Sequence, residues 1–224
     1  MNPAQVQFVG TERQPVILID EFVSDPQALV DEAAALRFAT IGVHYPGTRA
    51  PVPPSRLQTF MPGIVDLVVE TFGCGTKLRL LEAYYSVVTT RPETLTPIQR
   101  LPHFDGLERE RIALLHFLST DRTSGTAFYR HRSTGFESVD AARFPEFRAS
   151  LERDGATHGL PAPGYISDDT PIYEQTARFE GRYNRALIYR GHALHCAWLP
   201  DDLSYSADPR TGRLTVNTFL MGSV

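Results

Sequence analysis

The stretch "KLRLLEAYYSVVTT", residues 77–90, is where the pattern of the chain changes. From Lys77 onward the sequence is written in short runs rich in β-branched, aromatic and leucine residues, separated by turn signals, which is strand grammar. The runs that follow are "RIALLHFLS" (111–119), "GTAFYR" (125–130), "RALIYR" (185–190), "ALHCAWL" (193–199) and "RLTVNTFLMG" (213–222). One helical insertion, "FPEFRASLERDG" (144–155), interrupts them, with Pro145 suited to a first turn and Phe147 and Leu151 one turn apart.

Upstream of Lys77 the reading is mixed. "PVILIDEF" (15–22) is a short strand, and "SDPQALVDEAAALRF" (24–38) is a helix that Asp25 can cap and Pro26 can open. Leu29, Ala33 and Leu36 give that helix one apolar face. "HYPGTRAPVPPS" (44–55) carries too many breakers for a regular element and reads as a loop, with the position of a lid. "SRLQTFMPGIVDLVVETFGCG" (55–75) reads as helix, interrupted near Pro62–Gly63 and stopped by Gly73. Helices followed by a run of strands predict a mainly β fold, a sandwich or jelly roll braced by N-terminal helices, not an alternating βαβ sheet. No internal repeat or linker divides the chain, so a single domain over 1–224 is expected, with 1–76 as helical and mixed support and 77–224 as the core.

Composition narrows the class further. The chain has 224 residues, 42% hydrophobic and 21% charged, ordinary values for a water-soluble globular domain. A formal net charge of −4 without a Lys/Arg block argues against nucleic acid. Only two cysteines occur, Cys74 and Cys196, so a disulfide framework is not expected and the default is a reducing cytoplasm. The opening "MNPAQVQFVGTERQP" lacks the charge and apolar run of a secretory signal, and no stretch has the roughly 20 apolar residues that span a bilayer. The expected partner is a small molecule, amino acid or peptide, with no nucleic acid and no membrane, on a monomer or homodimer.

Candidate chemistry begins at "LPHFDGLERERIALLHFL" (101–118), where His103 stands two places before Asp105. Seven histidines (44, 103, 116, 131, 158, 192 and 195) and thirteen aspartates yield about 0.4 His-x-Asp pairs by chance, so the pair alone decides nothing. On a strand end, residues i and i+2 point to one side, which suits two metal ligands. A facial triad for Fe(II) needs a second histidine from another strand. "NRALIYRGHALHCAWLP" offers His192, beside Gly191 in a turn, and His195, inside an apolar strand that would hold it more rigidly. His195 is therefore preferred as ligand, the alternative being a core histidine bonded to a backbone carbonyl. In "GRLTVNTFLMG", Arg213, Thr215 and Asn217 share one face. That face either meets solvent or points an arginine and a hydroxyl at a buried anion such as a carboxylate.

The ordered set "HFD", "LIYRGHALHC" and "GRLTVNTF" resembles the 2-oxoglutarate- and Fe(II)-dependent dioxygenases, particularly their prolyl 4-hydroxylase-like branch. His103, Asp105 and His195 match that superfamily's iron ligands, and Arg213 with Thr215 matches the pair that holds the far carboxylate of 2-oxoglutarate. Tyr85, in "EAYYSVV", matches a further contact to the cosubstrate, the alternative being a tyrosine packed in the β core, and "SGTAFYR" resembles the family's GGxTxF segment with Ser124 in place of the first Gly. The resemblance runs over about residues 77–221 and is specific at five positions. It implies a cupin-like double-stranded β-helix, a jelly roll with iron at its mouth. It also implies Fe(II), 2-oxoglutarate and O2 as cofactor and cosubstrates, succinate and CO2 as products, and a hydroxylated C–H bond. Asp105, where related halogenases carry Gly or Ala, implies hydroxylation or demethylation instead of halogenation. Two other readings use the same features: a non-catalytic jelly-roll ligand-binding protein, and another cupin-type metalloenzyme.

The remaining polar residues have plainer expectations. His116 is read as a satisfied core histidine, and His131 between Arg130 and Arg132 as a solvated basic cluster. Gln99 is read as a loop glutamine, Cys196 as a small core residue behind His195, Phe104 as turned away from the ligand pair, and "ERER" (108–111) as a solvated connection.

Overall fold

The computed structural model describes residues 3–120, 124–200 and 202–223. Its strands are β1 (Gln5–Val9), β2 (Gln14–Ile19), β3 (Gly47–Pro51), β4 (Leu78–Val88), β5 (Arg111–Phe117), β6 (Gly125–His131), β7 (Tyr173–Glu180), β8 (Arg185–Arg190), β9 (His195–Trp198) and β10 (Leu214–Gly222). The helices are α1 (Pro26–Ala35), α2 (Pro54–Phe60), α3 (Val65–Phe72) and α4 (Phe144–His158). The fold is thus mostly β, with antiparallel sheets and a few helices.

Among the described residues, one sheet has seven strands in the order β1-β2-β8-β5-β10-β4-β3, and a second has three in the order β7-β6-β9. All of these pairings are antiparallel. A bridge between His103 and His195 adds the segment after β4 to the free side of β9. From β4 on, the chain crosses repeatedly between the sheets. β4, β5, β8 and β10 lie in the larger one, while the His103 segment, β6, β7 and β9 lie in the smaller.

Strand periodicity explains why the central strands read as continuous apolar runs: both their faces are buried. On β5, Ile112 and Leu114 face a core shared with α1, α2 and α3, built on Leu29, Leu57, Ile64, Val68 and Phe72. Ala113 and Phe117 face the smaller sheet and meet Phe128, Phe179 and Tyr189 there. α1 starts as its sequence predicts: the Asp25 side chain accepts from the Ala28 amide at 3.0 Å, with Pro26 in the first turn. α3 ends on Gly73, whose φ of 59° is left-handed.

Two expectations change. The 44–55 segment is not all loop: it contains β3 and opens α2. β3 tolerates Pro51 because it lies at the edge of the sheet and the proline ends it. In the N-terminal part, β1, β2 and β3 all join the larger sheet. α4 continues to His158, past the expected Gly155. The turn read between β5 and β6 falls at residues 121–123, outside the described residues.

Candidate metal centre and its cavity

The His103 segment is held against β9 by a reciprocal backbone pair. The His103 amide donates to the His195 carbonyl and the His195 amide to the His103 carbonyl, both at 2.8 Å. Two residues on, the Asp105 amide donates to the Gly191 carbonyl at 2.6 Å. This pinning gives His103, Asp105 and His195 fixed relative positions, and one ligand atom from each lies within 4.8 Å of the others. Asp105 Oδ1 is 3.8 Å from His103 Nε2, and Oδ2 is 3.6 Å from His195 Nε2. Phe104, between the ligand candidates, packs against Phe144 and Phe147 of α4 and lines the cavity described below.

The carbonyl contact weighed for His195 is present, and it leaves the other ring nitrogen facing the cluster. Its Nδ1 lies 2.9 Å from the Ala193 carbonyl, which can only accept, so the proton sits on Nδ1 and Nε2 keeps its lone pair toward Asp105. A carbonyl on the far ring nitrogen is the usual way a metal-binding imidazole is oriented. Burial, with His195 as the next cause, lowers the pKa of His103 to about 4, and burial lowers that of His195 to about 4. Half of the His103 side chain is exposed, where it lines the cavity described below. Burial raises Asp105 to about 6, and its Oδ2 is buried without a hydrogen-bond partner. A buried, unpartnered carboxylate oxygen between two neutral imidazole lone pairs is costly as it stands, and a cation removes the cost. The donor set of two imidazole nitrogens and one carboxylate therefore fits a divalent metal, and it suits iron.

A cavity of about 710 Å³ opens over this cluster, lined in part by Arg49, Thr126, Tyr189 and Arg213. Arg213 is buried. Its guanidinium donates to the Gly125 carbonyl at 2.9 Å and lies over the Phe117 ring. Thr215 shares the face but does not line the cavity, and its hydroxyl donates to Asn217 Oδ1 at 2.7 Å.

Tyr85 is a correction. It points to the helical side of the sheet, where its hydroxyl donates to Glu32 of α1 at 2.9 Å. Alternation makes this unavoidable, since Glu82 and Val88 line the cavity and residue 85 has the opposite parity.

Sequence reasoning missed Tyr45. It comes from the segment before β3, and its buried hydroxyl lines the cavity near Ser86, while the Thr126 hydroxyl there is buried without a hydrogen-bond partner. Burial raises the Tyr45 phenol pKa, opposed by Arg213 and Arg49. Nothing in "HYPGTRAP" marks Tyr45 as inward; only the pairing of β3 with β4 brings it there.

The other residues separate into structural roles. His116 Nε2 lies 3.0 Å from Asn184 Oδ1 under Phe22, as expected of a core histidine. His131 is not solvated: it is fully buried, with Nδ1 2.9 Å from Thr134 Oγ1 and Nε2 3.0 Å from Asp154. Its neighbours Arg130 and Arg132 pair with Glu137, Glu174 and Asp169. The "ERER" charges are also paired, Arg111 with Glu108 and Arg109 with Asp140. His192 is buried but belongs neither to the cluster nor to the cavity wall. Gln99 lines the cavity, though its side-chain oxygen accepts from the Thr96 amide. Cys196 packs behind His195 with its thiol toward the Ile166 carbonyl.

Solved structures share this fold at low identity. HygX from Streptomyces hygroscopicus with iron bound aligns with a TM-score of 0.54 at 13% identity, over 94% of this chain and 83% of that one. The same protein with nickel and 2-oxoglutarate bound aligns at 0.51 and 12%, over 94% and 84%. SnoN, a non-heme α-ketoglutarate-dependent epimerase from nogalamycin biosynthesis, aligns at 0.53 and 14%, over 94% and 79%. These likenesses define the fold class. No curated protein matches the sequence. Residues 2–220 match the model of the Family of unknown function (DUF6445), and the chain belongs to that family. Among the described residues, no helix is long and apolar enough to cross a membrane.

Proposed function

We propose that this protein is a non-haem Fe(II)- and 2-oxoglutarate-dependent oxygenase. The two sheets are read as a double-stranded β-helix: β4, β5, β8 and β10 face β6, β7, β9 and the His103 segment, with the metal at one end. The observation that carries the proposal is the Asp105 Oδ2 atom, buried and unpartnered between two imidazoles in a cavity that also holds a buried arginine. A metal-free ligand-binding protein has no use for such an oxygen. A hydrolytic metalloenzyme on the same scaffold leaves Arg213 without a task.

His103, Asp105 and His195 would hold the iron, leaving coordination positions open for small molecules. Iron bound there supplies the oxidation of an unactivated C–H bond, with 2-oxoglutarate and O2 converted to succinate and CO2 and one oxygen atom placed on the substrate. Arg213 would bind the far carboxylate of the cosubstrate through its planar guanidinium, held in place by the Gly125 carbonyl. Tyr45 and Thr126 would add hydroxyl donors from the opposite walls, taking the places expected of Tyr85 and Thr215. Tyr189, edge-on to the His195 ring at 4.7 Å between centroids, keeps that imidazole from turning and closes the floor against water. The substrate would be a small molecule or an amino-acid or peptide derivative, since the cavity is of the size that encloses such ligands.

The test is anaerobic addition of Fe(II) and 2-oxoglutarate to the purified protein, followed by exposure to O2. A weak visible charge-transfer band and then succinate release are expected. No band, together with no succinate above background, overturns the proposal.

A further inference from the structure

Arg49 is a cation in the cavity that the oxygenase reading does not use. It stands on β3 opposite Ser86 of β4 and lines the same cavity as His103 and Asp105. Elsewhere the arginines near carboxylates are paired, as Arg56 is with Glu32, Arg130 with Glu137 and Arg185 with Asp20. Arg49 has no ion pair among the described residues, and its Nε is buried without a hydrogen-bond partner. The cavity's Glu82 does not neutralise it; that carboxylate accepts from the Tyr84 hydroxyl at 3.1 Å.

The surroundings of Arg49 fix the kind of anion it can take. Its guanidinium carbon lies 4.0 Å from the centroid of the Tyr45 ring and 5.4 Å from that of Tyr84. Aromatic rings hold a guanidinium by its faces, so its donors are left to act along the edge of the plane. An edge with parallel N–H groups matches a carboxylate. Arg49 lines the same cavity as His103 and Asp105, so an anion held there lies in the space that opens over the metal cluster. A 2-oxoglutarate molecule with one carboxylate on the metal and the other on Arg213 has no third carboxylate for Arg49.

One stretch of the wall, where α4 comes closest, is mainly aromatic and aliphatic. Phe104 packs edge-to-face on Phe144 and Phe147, at 6.1 and 6.0 Å between centroids, and Leu151 and Ile166 continue the same lining. We propose that the substrate to be oxidised is an amphipathic carboxylic acid, its carboxylate held by Arg49 and its aryl or alkyl body lying on the Phe104–Phe144–Phe147 shelf. This assignment rests on the oxygenase reading of the same site.

The experiment is calorimetric binding of 4-phenylbutanoate and decanoate, each against its neutral amide. It uses the full chain, both metal-free and anaerobically loaded with Fe(II) and 2-oxoglutarate. In the wild type each acid should bind about 10-fold or more tightly than its amide, the worth of a charge-assisted hydrogen bond. Arg49→Gln should bring that ratio to within about twofold while the dissociation constant for 2-oxoglutarate moves by less than about twofold. Arg49→Lys, which keeps the charge, should retain part of the preference. Equal affinity of acid and amide in the wild type overturns the proposal, and that comparison needs no variant to fold. A loss of 2-oxoglutarate affinity in Arg49→Gln as large as the loss for the acids also overturns it, because Arg49 then belongs to the cosubstrate. If the oxygenase reading alone is wrong, the charge-transfer band and succinate are missing while the acid preference persists in the metal-free protein.

Discussion

Among the described residues, two histidine–aspartate clusters in the smaller sheet and its surroundings differ in spacing and in access to the cavity. His131 and Asp154 approach to 3.0 Å, Thr134 occupies the other ring nitrogen, and Phe147 and Tyr173 close the site with their rings. His103 and His195 stand 3.8 and 3.6 Å from Asp105, too far to hydrogen-bond it, and all three reach a cavity that holds Arg213. The first pair is closed on itself and braces β6 against α4. The second is spaced like ligands, with Asp105 Oδ2 buried and His195 Nε2 3.6 Å from it, beyond hydrogen-bond reach. The mark of a site is donor atoms held apart with their lone pairs unused, not the mere nearness of a histidine to an aspartate.

The contrast breaks if the two clusters respond alike. Asp105→Ala should reduce Fe(II) affinity by more than about 100-fold and abolish the charge-transfer band, a larger loss than orienting residues around a metal usually produce. His131→Ala should leave the band in place and lower the unfolding free energy by about 2 kcal/mol, read by urea titration. A His131 variant that loses metal would erase the distinction. Within the cavity, Arg213→Ala should weaken 2-oxoglutarate binding about 10- to 100-fold with metal affinity retained. Equal loss of both would point to misfolding. The smallest effect is expected from Tyr85→Phe, which removes only the hydroxyl bonded to Glu32. It should cost about 1 kcal/mol of stability and leave 2-oxoglutarate affinity unchanged.

The same contrast explains what could be read in the chain. His103 and Asp105 were legible because they share a strand-end parity, and His195 because it sits inside an apolar run. Tyr85 was misread because "AYYS" offers two adjacent tyrosines and the sequence does not say which parity meets the cavity; Tyr84 has the cavity-side parity. His131 read as solvated because Arg130 and Arg132 flank it. Their partners Glu137, Glu174 and Asp169 neutralise them only once β6 and β7 pair, and alternation turns His131 inward between them. β7 escaped notice because "YEQTARFE" is half-exposed and polar, and β1 because it is a largely exposed edge strand. Tyr45 and Arg49 depend on a Pro-rich segment behaving as an edge strand, a tertiary outcome that local propensity opposes.

The reciprocal backbone pair between His103 and His195 has an evolutionary consequence. Two donor residues far apart in the chain are fastened to each other by the sheet, so their separation does not depend on the loops that surround the mouth. A segment such as 42–44 can then lengthen, shorten or change composition, admitting different molecules, without moving that pair apart. Selectivity and reactivity are inherited through different parts of the chain, so one lineage can change what it accepts while keeping what it does.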